Sequence, residues 1–116
     1  MFDYERLDVY RVSISMTTTL YKALGCLPPG HSELVNQTKR AAISVPLNVA
    51  EGAGEFSAQE KIRFYRIARR SASECAAALD ILRGLGLIPA EHSRSIRDKL
   101  DRIAAMLTVL CRQTRE

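Results

Sequence analysis

The sequence predicts an all-α protein: an antiparallel up-down-up-down four-helix bundle, formed by a single domain over residues 1–116. Four segments carry apolar residues at alternating spacings of three and four, which places those residues on one face of a helix. Clusters of Gly and Pro separate the segments. No segment shows the alternation typical of a half-buried strand. Because the connections are short, consecutive helices are expected to run antiparallel.

Local signals define the helix ends. The first helix ends near Gly25, which is followed by a stiff Pro-Pro-Gly turn. Pro46 lies inside the second helix, where we expect a kink because proline removes one backbone donor. Ser57 and Glu60 form a capping box that opens the third helix, and Pro89 suits the first turn of the fourth. The predicted helices span about residues 4–24, 32–52, 57–84 and 89–113.

The periodicity also predicts which residues face the core. Small residues in the second and third stripes favour a close approach of two helices. The four predicted stripes are Leu7, Tyr10, Ile14, Thr17, Tyr21 and Leu24; Leu34, Thr38, Ala41, Val45, Asn48 and Gly52; Phe64, Ala68, Ser71, Cys75, Leu79 and Leu82; and Ile96, Leu100, Ile103, Leu107 and Leu110.

Composition excludes several classes of protein. With 47% apolar and 26% charged residues, the chain resembles an ordinary globular protein. It has no apolar run of about 18 residues, so we expect no membrane span, and its acidic N-terminus does not resemble a secretory signal. Three cysteines without a C-x-x-C motif indicate reduced thiols and a cytoplasmic location. No metal-ligand spacing is present, so we expect no metal and no cofactor.

The most unusual stretch of the sequence spans residues 44–52. Asn48 falls on the apolar stripe of the second helix, with Ser44 and Glu51 one turn away on either side. A polar group in a helix seam needs a hydrogen-bond partner, because an unpaired one costs about 1–3 kcal/mol. One interpretation is a structural network that fixes helix register. The alternative is a contact with a ligand or another subunit.

A second unusual feature is the basic half of the third helix. The net charge of the chain is +4, from 17 basic and 13 acidic residues, and the excess lies in the C-terminal half. Spacing places Arg63, Arg66 and Arg70 within about 60° on a helical wheel. They form either a solvated face with an Arg70–Glu74 ion pair or a phosphate-binding patch. The candidate nucleic-acid-binding residues are Lys61, Arg63, Arg66, Arg69 and Arg70.

An enzymatic reading has less support in the sequence. It would use Glu51, Asn48 and Arg63, and general acid–base catalysis would need a perturbed carboxylate in a pocket. The stretch offers no nucleophile–base pair. A di-metal site in a helical bundle would require Glu-x-x-His motifs, which the sequence lacks. We therefore expect no enzymatic activity and no small-molecule substrate.

Two blocks of the sequence resemble a known family. QTKRAAISVPLNVAEG at 37–52 resembles the signature Q-x-x-R-A-x-x-S-I-P-x-N-I-A-E-G, and EKIRFYRIARRSASE at 60–74 resembles a second block. Both are found in the bacterial 23S rRNA intervening-sequence proteins, which share their fold with accessory variability proteins of diversity-generating retroelements. The family reads Ala-Arg-Gly-Ser where this chain has Arg70 in place of the glycine. The matching positions are Gln37, Arg40, Ser44, Pro46, Asn48, Glu51, Gly52, Arg63, Ala68, Ser71 and Glu74.

The resemblance implies a small antiparallel bundle that assembles into a homopentamer, with no established enzymatic activity. It also implies an interface or ligand-facing role for the matching positions on the second and third helices. The retroelement relatives bind nucleic acid and a reverse transcriptase, which makes both possible partners here. The leading hypothesis is a homo-oligomeric scaffold that binds RNA or DNA weakly and nonspecifically. The alternative is a protein–protein adaptor, for example an accessory subunit of a reverse transcriptase, without nucleic-acid binding of its own.

Overall fold

The computed structural model describes residues 2–115 and is entirely helical over that range. A short 3-10 turn, Asp3–Arg6, precedes the four long helices. Leu7 lies between this turn and α1 in an extended conformation, so the first helix begins later than the sequence predicted. The four helices are α1 Asp8–Leu24, α2 Ser32–Gly54, α3 Ala58–Gly84 and α4 Ala90–Gln113.

The helices form an antiparallel bundle, as predicted. Each packs against its neighbours in sequence, and α1 also packs against α4; within the described part of the chain, the backbones of the diagonal pairs do not approach each other closely. Hydrogen bonds show the antiparallel direction of α3 and α4. Asp80 is bonded to Arg97 and Arg69 to Thr108, so moving backward along α3 moves the partner forward along α4. The bundle measures 48 × 23 × 21 Å.

The ends of α3 are set by the residues that the sequence singled out. The Ser57 hydroxyl accepts a hydrogen bond from the Glu60 amide at 3.0 Å, confirming the N-cap. At the other end, the Leu87 amide donates to the Leu82 carbonyl and the Gly86 amide to the Arg83 carbonyl. This pair of bonds is a Schellman motif, and it requires the positive φ of +70° that Gly86 adopts.

The buried core confirms most of the predicted stripes on α2, α3 and α4. On α3, Tyr65 is buried while the predicted Phe64 is only half-buried. On α4, the buried residues include the first four of the predicted stripe. Cys75, Leu79, Leu82, Ile96, Ile103 and Leu107 are all at most 1% exposed.

The predicted stripe of α1 was wrong by about one position. The helix buries Val9, Ser13, Met16, Leu20 and Leu24, and Ile14 is 39% exposed. The true stripe includes a serine, which a reading based on hydrophobicity passes over. The Ser13 hydroxyl donates to the Val9 carbonyl at 2.6 Å, so the serine enters the core with its donor satisfied.

Candidate functional site

The unusual stretch of α2 forms a hydrogen-bonded cluster with α3. The Asn48 side-chain amide donates to the Ser44 carbonyl at 2.8 Å and to the Ser44 hydroxyl at 2.9 Å. The Ser44 hydroxyl lies 2.7 Å from that of Ser71 on α3, and either can be the donor. We call these three residues the seam cluster. Its groups satisfy one another within the chain, which is what the structural interpretation of this stretch requires.

Pro46 lies two residues beyond Ser44, and α2 continues through it. Because proline has no amide hydrogen, the Ala42 carbonyl loses its usual donor four residues later. The Thr17 hydroxyl of α1 lies 3.2 Å from that carbonyl and 2.8 Å from the Ser13 carbonyl. The single hydroxyl hydrogen is shared between the two carbonyls, so a side chain of the neighbouring helix replaces part of the hydrogen bond that Pro46 removes.

Gly52 marks the closest approach of α2 to α3. A Cβ atom at this position would lie 2.6 Å from Tyr65 Cε1 and 3.1 Å from the Lys61 carbonyl oxygen. Both distances are too short for ordinary van der Waals contact. The ring of Tyr65 is buried, so it has little room to move. The close approach of the two helices therefore depends on glycine here.

Lys61, one of the candidate nucleic-acid-binding residues, is directed toward the end of α2. Its ammonium donates to the Ala53 carbonyl at 2.9 Å and lies 3.5 Å from the Gly52 carbonyl. Both carbonyls lie in the last turn of α2, where helical donors run out, and the Gly52 carbonyl also accepts from the Glu55 amide at 3.2 Å. Lys61 therefore caps the C-terminal end of α2, and its ammonium group is directed away from Arg63, Arg66 and Arg70.

The arginines of α3 line an open groove of about 1160 Å³ between α3 and the end of α4. Arg66 and Arg70 are exposed and form no hydrogen bond or ion pair with any residue in the range 2–115. Arg115, near the C-terminus, faces the same groove. Ile62 and Ile67 provide apolar surface within it. We call Arg63, Arg66, Arg70 and Arg115 the basic groove.

Arg63 is less available than the other members of the basic groove. Its Nε donates to the Glu60 carboxylate at 2.7 Å, and its guanidinium lies 4.4 Å from the centroid of the Phe64 ring. The hydrogen bond to Glu60, together with its negative charge, raises the pKa of Arg63 above its usual value. The Glu60 carboxylate therefore already offsets part of the charge on Arg63, although the pair is exposed to solvent.

Arg69 is directed toward α4. Its Nε donates to the Thr108 hydroxyl of α4 at 2.9 Å, and Arg69 does not line the groove. Arg115 lines the groove, although it was not among the residues predicted from the sequence. It does so because the antiparallel topology brings the end of α4 beside the start of α3.

Four family-matching positions outside the seam cluster and the basic groove have exposed side chains. Gln37, Arg40, Glu51 and Glu74 are exposed and make no side-chain hydrogen bond or ion pair with the rest of the described chain. The Arg70–Glu74 ion pair expected from helical spacing is absent from the ion pairs that residues 2–115 form. These exposed side chains are therefore free to meet groups outside the protomer.

The three cysteines differ in burial, and all are free thiols. Burial, with a smaller contribution from Glu74, raises the pKa of Cys75 to about 12, which keeps this thiol protonated and unreactive at neutral pH. Burial also raises the pKa of Cys111, against the opposing effect of Arg66 and Arg69. Cys26 is exposed.

The described residues contain no group of three His, Cys, Asp or Glu side chains arranged to hold a metal ion.

Comparisons with known proteins place this arrangement in a family. No curated protein matches the chain. Across the described helices, none combines the length and apolarity needed to cross a bilayer. Residues 5–109 match the family model described as 23S rRNA-intervening sequence protein, and this range includes the seam cluster, Gly52 and the arginine row of α3. The chain therefore belongs to the family of 23S rRNA-intervening sequence proteins.

Proposed function

We propose that this protein is a non-enzymatic, homo-oligomeric helical scaffold that binds nucleic acid weakly and nonspecifically through the basic groove. The observation that carries the proposal is the state of Arg66 and Arg70. Both guanidinium groups are exposed in one groove with Arg115 and lack an acidic partner in the described chain. Guanidinium groups offer planar pairs of donors that fit phosphate oxygens.

The shape of the bundle supports backbone contacts over reading of bases. The cross-section measures 23 × 21 Å, whereas the major groove of B-form DNA is about 12 Å wide. Because α2 and α4 flank α3, the third helix cannot enter that groove deeply. Arginines on a flanked helix contact phosphates, which position a protein without specifying sequence.

Self-association would strengthen the binding that we propose. A protomer with a net charge of +4 attracts a polyanion only weakly, but several grooves on one assembly act together on a single strand. The homopentamer implied by the resemblance would present five such grooves. The family name refers to 23S rRNA, which makes RNA the first polyanion to test.

The test is fluorescence anisotropy of a labelled RNA of about 20 nucleotides, titrated at several salt concentrations. If three free arginines of the groove each neutralise one phosphate, the logarithm of affinity falls against the logarithm of salt with a slope of about −2 for a single strand. The double variant Arg66→Glu, Arg70→Glu should lose at least roughly tenfold in affinity and most of this slope.

The matched control is Arg94→Glu, Arg102→Glu. These two α4 arginines are exposed and do not line the groove, and their replacement changes the net charge by the same amount. The control should lose far less affinity. Equal losses in the two double variants, or binding that does not respond to salt, would refute the groove as the binding site.

The second candidate function is a protein–protein adaptor without nucleic-acid binding, for example an accessory subunit of a reverse transcriptase. The exposed apolar side chains favour it: Phe56 is fully exposed, and Leu47 is 59% exposed. In that case the Arg63, Arg66 and Arg70 side chains would be buried against another protein. Replacing all three by Glu would then weaken protein association and leave RNA binding undetectable in every variant.

A further inference from the structure

The outward face of α2 carries two apolar side chains between two opposite charges. Ile43 is 38% exposed and Leu47 is 59% exposed, and Arg40 and Glu51 are exposed at the two ends. Their spacings of three, four and four place all four within about 80° of one another on a helical wheel. We call Arg40, Ile43, Leu47 and Glu51 the α2 stripe.

The α2 stripe lies outside the core of the protomer. The core closes on the opposite side of α2, through residues such as Ala42, Val45 and Val49, which are all fully buried. Arg40 and Glu51 have no hydrogen-bond or ion-pair partner among residues 2–115. Aliphatic side chains exposed in a row gain from being covered, so the stripe has the composition of a contact surface.

The charges exclude a polyanion as the partner of this surface. One arginine and one glutamate give the stripe a net charge of zero, and phosphates would be repelled by Glu51. Arg40 and Glu51 lie eleven residues apart, or about 16 Å along the helix axis, with Ile43 and Leu47 between them. A partner needs an acid and a base at the same separation, in the opposite order, around an apolar centre.

We infer that this partner is the α2 stripe of a second copy of the same chain. When two α2 helices lie antiparallel, centred between Val45 and Pro46, Arg40 meets the partner's Glu51 and Glu51 meets the partner's Arg40. The aliphatic side chains of the two copies then face each other. A parallel arrangement would instead place arginine against arginine and glutamate against glutamate, which costs free energy.

The resulting contact has two-fold symmetry, because the same surface is used on both copies. It is therefore distinct from the contacts of a closed ring of five, which join two different surfaces. In a ring-forming chain the stripe pairs two rings, and in a chain without a ring it pairs two protomers.

This inference rests on the homo-oligomeric part of the proposed function and not on its nucleic-acid part. The test measures the mass of the assembly by sedimentation at equal concentrations of four proteins: the wild type, Arg40→Glu, Glu51→Arg, and the double variant with both changes. Each single variant places like charges together twice in every contact. The mass of each single variant should therefore be half that of the wild type.

The double variant restores both charge pairs with their signs exchanged, and it should recover the wild-type mass. Circular dichroism verifies that each variant is folded, which is expected since both positions are exposed. RNA affinity is measured on the same samples, because the basic groove is unchanged in all four. If the wild type does not bind RNA, the proposed nucleic-acid binding is refuted, while the pairing through the α2 stripe is unaffected.

Three outcomes would overturn the pairing. The single variants could keep the full mass, the double variant could fail to recover it, or the wild type could sediment as a monomer. A monomeric wild type that still binds RNA would refute self-association but not the basic groove as the binding site. A ring with an unchanged mass in all four proteins would refute the pairing through the α2 stripe but not the homo-oligomeric scaffold.

Discussion

The two sides of the bundle are held together in different ways. Between α2 and α3, glycine and hydroxyl-bearing side chains allow close approach, with Gly52 against Tyr65 and Ser44 against Ser71. On the α4 side, large aliphatic side chains such as Ile103 and Leu107 fill the core. Side-chain volume therefore matters in opposite directions on the two sides: removing atoms should damage the α4 side, and adding atoms should damage the α2–α3 seam.

The largest expected effect is on the α4 side. Leu107 is fully buried, and Leu107→Ala should lower the free energy of unfolding by about 3 kcal/mol, because it removes buried methyl groups and leaves a cavity. Urea denaturation followed by circular dichroism measures this loss. The volume-conserving Leu107→Met should cost less than about 1.5 kcal/mol. Similar losses for both variants would show that something other than volume is being lost.

The next effect is on the α2–α3 seam. Gly52→Ala should lower the free energy of unfolding by about 1–2 kcal/mol, since the cost of overpacking exceeds the gain in helix propensity. The matched control is Gly54→Ala, where a Cβ atom meets nothing within 4 Å. That control should be neutral or stabilising by up to about 1 kcal/mol. If both variants respond alike in the same denaturation assay, close approach does not define the seam.

A smaller effect concerns the contact between α1 and α2. Thr17→Val should cost about 1 kcal/mol of unfolding free energy, because it leaves the Ala42 carbonyl without a donor. Pro46→Ala restores an amide at the position that normally serves this carbonyl. A double-mutant cycle should therefore show that Thr17→Val costs less in the Pro46→Ala background. Purely additive losses would mean that the two residues do not share this carbonyl.

The smallest effect is a pH dependence from the buried thiol of α3. The pKa of Cys75 is about 12 in the folded protein against an ordinary value of 9.0, so the unfolded chain loses this proton first as pH rises. The stabilisation is complete below pH 9 and is lost on the way to pH 12. Between pH 8 and 9.5 the loss should be under about 1 kcal/mol. Denaturation across this range measures it, and Cys75→Ala should remove this part of the slope.

Most of the fold could be predicted from periodicity, and the failures have identifiable causes. The Gly and Pro clusters and the capping box at Ser57 were sufficient to place the helices. The α1 stripe was misjudged because aromatic and branched residues such as Tyr10 and Ile14 resemble core residues more than Ser13 does. Ser13 can enter the core because its own helix provides an acceptor, the Val9 carbonyl, and hydrophobicity carries no information about that acceptor.

The candidate site was predictable in part for a similar reason. Arg63, Arg66 and Arg70 share a face by helical spacing alone, and the structure places them in one groove. Helical spacing does not reveal which neighbour a flanking residue will meet. The sequence therefore could not show that Lys61 caps α2. Nor could it show that Arg115 lines the groove, because that position depends on tertiary packing.

The bond from Thr17 to the Ala42 carbonyl has a consequence for how the bundle comes apart. The middle of α2 lacks one of its own hydrogen bonds and borrows the replacement from α1. If α1 detaches, α2 is weakened at its centre and not at a frayed end.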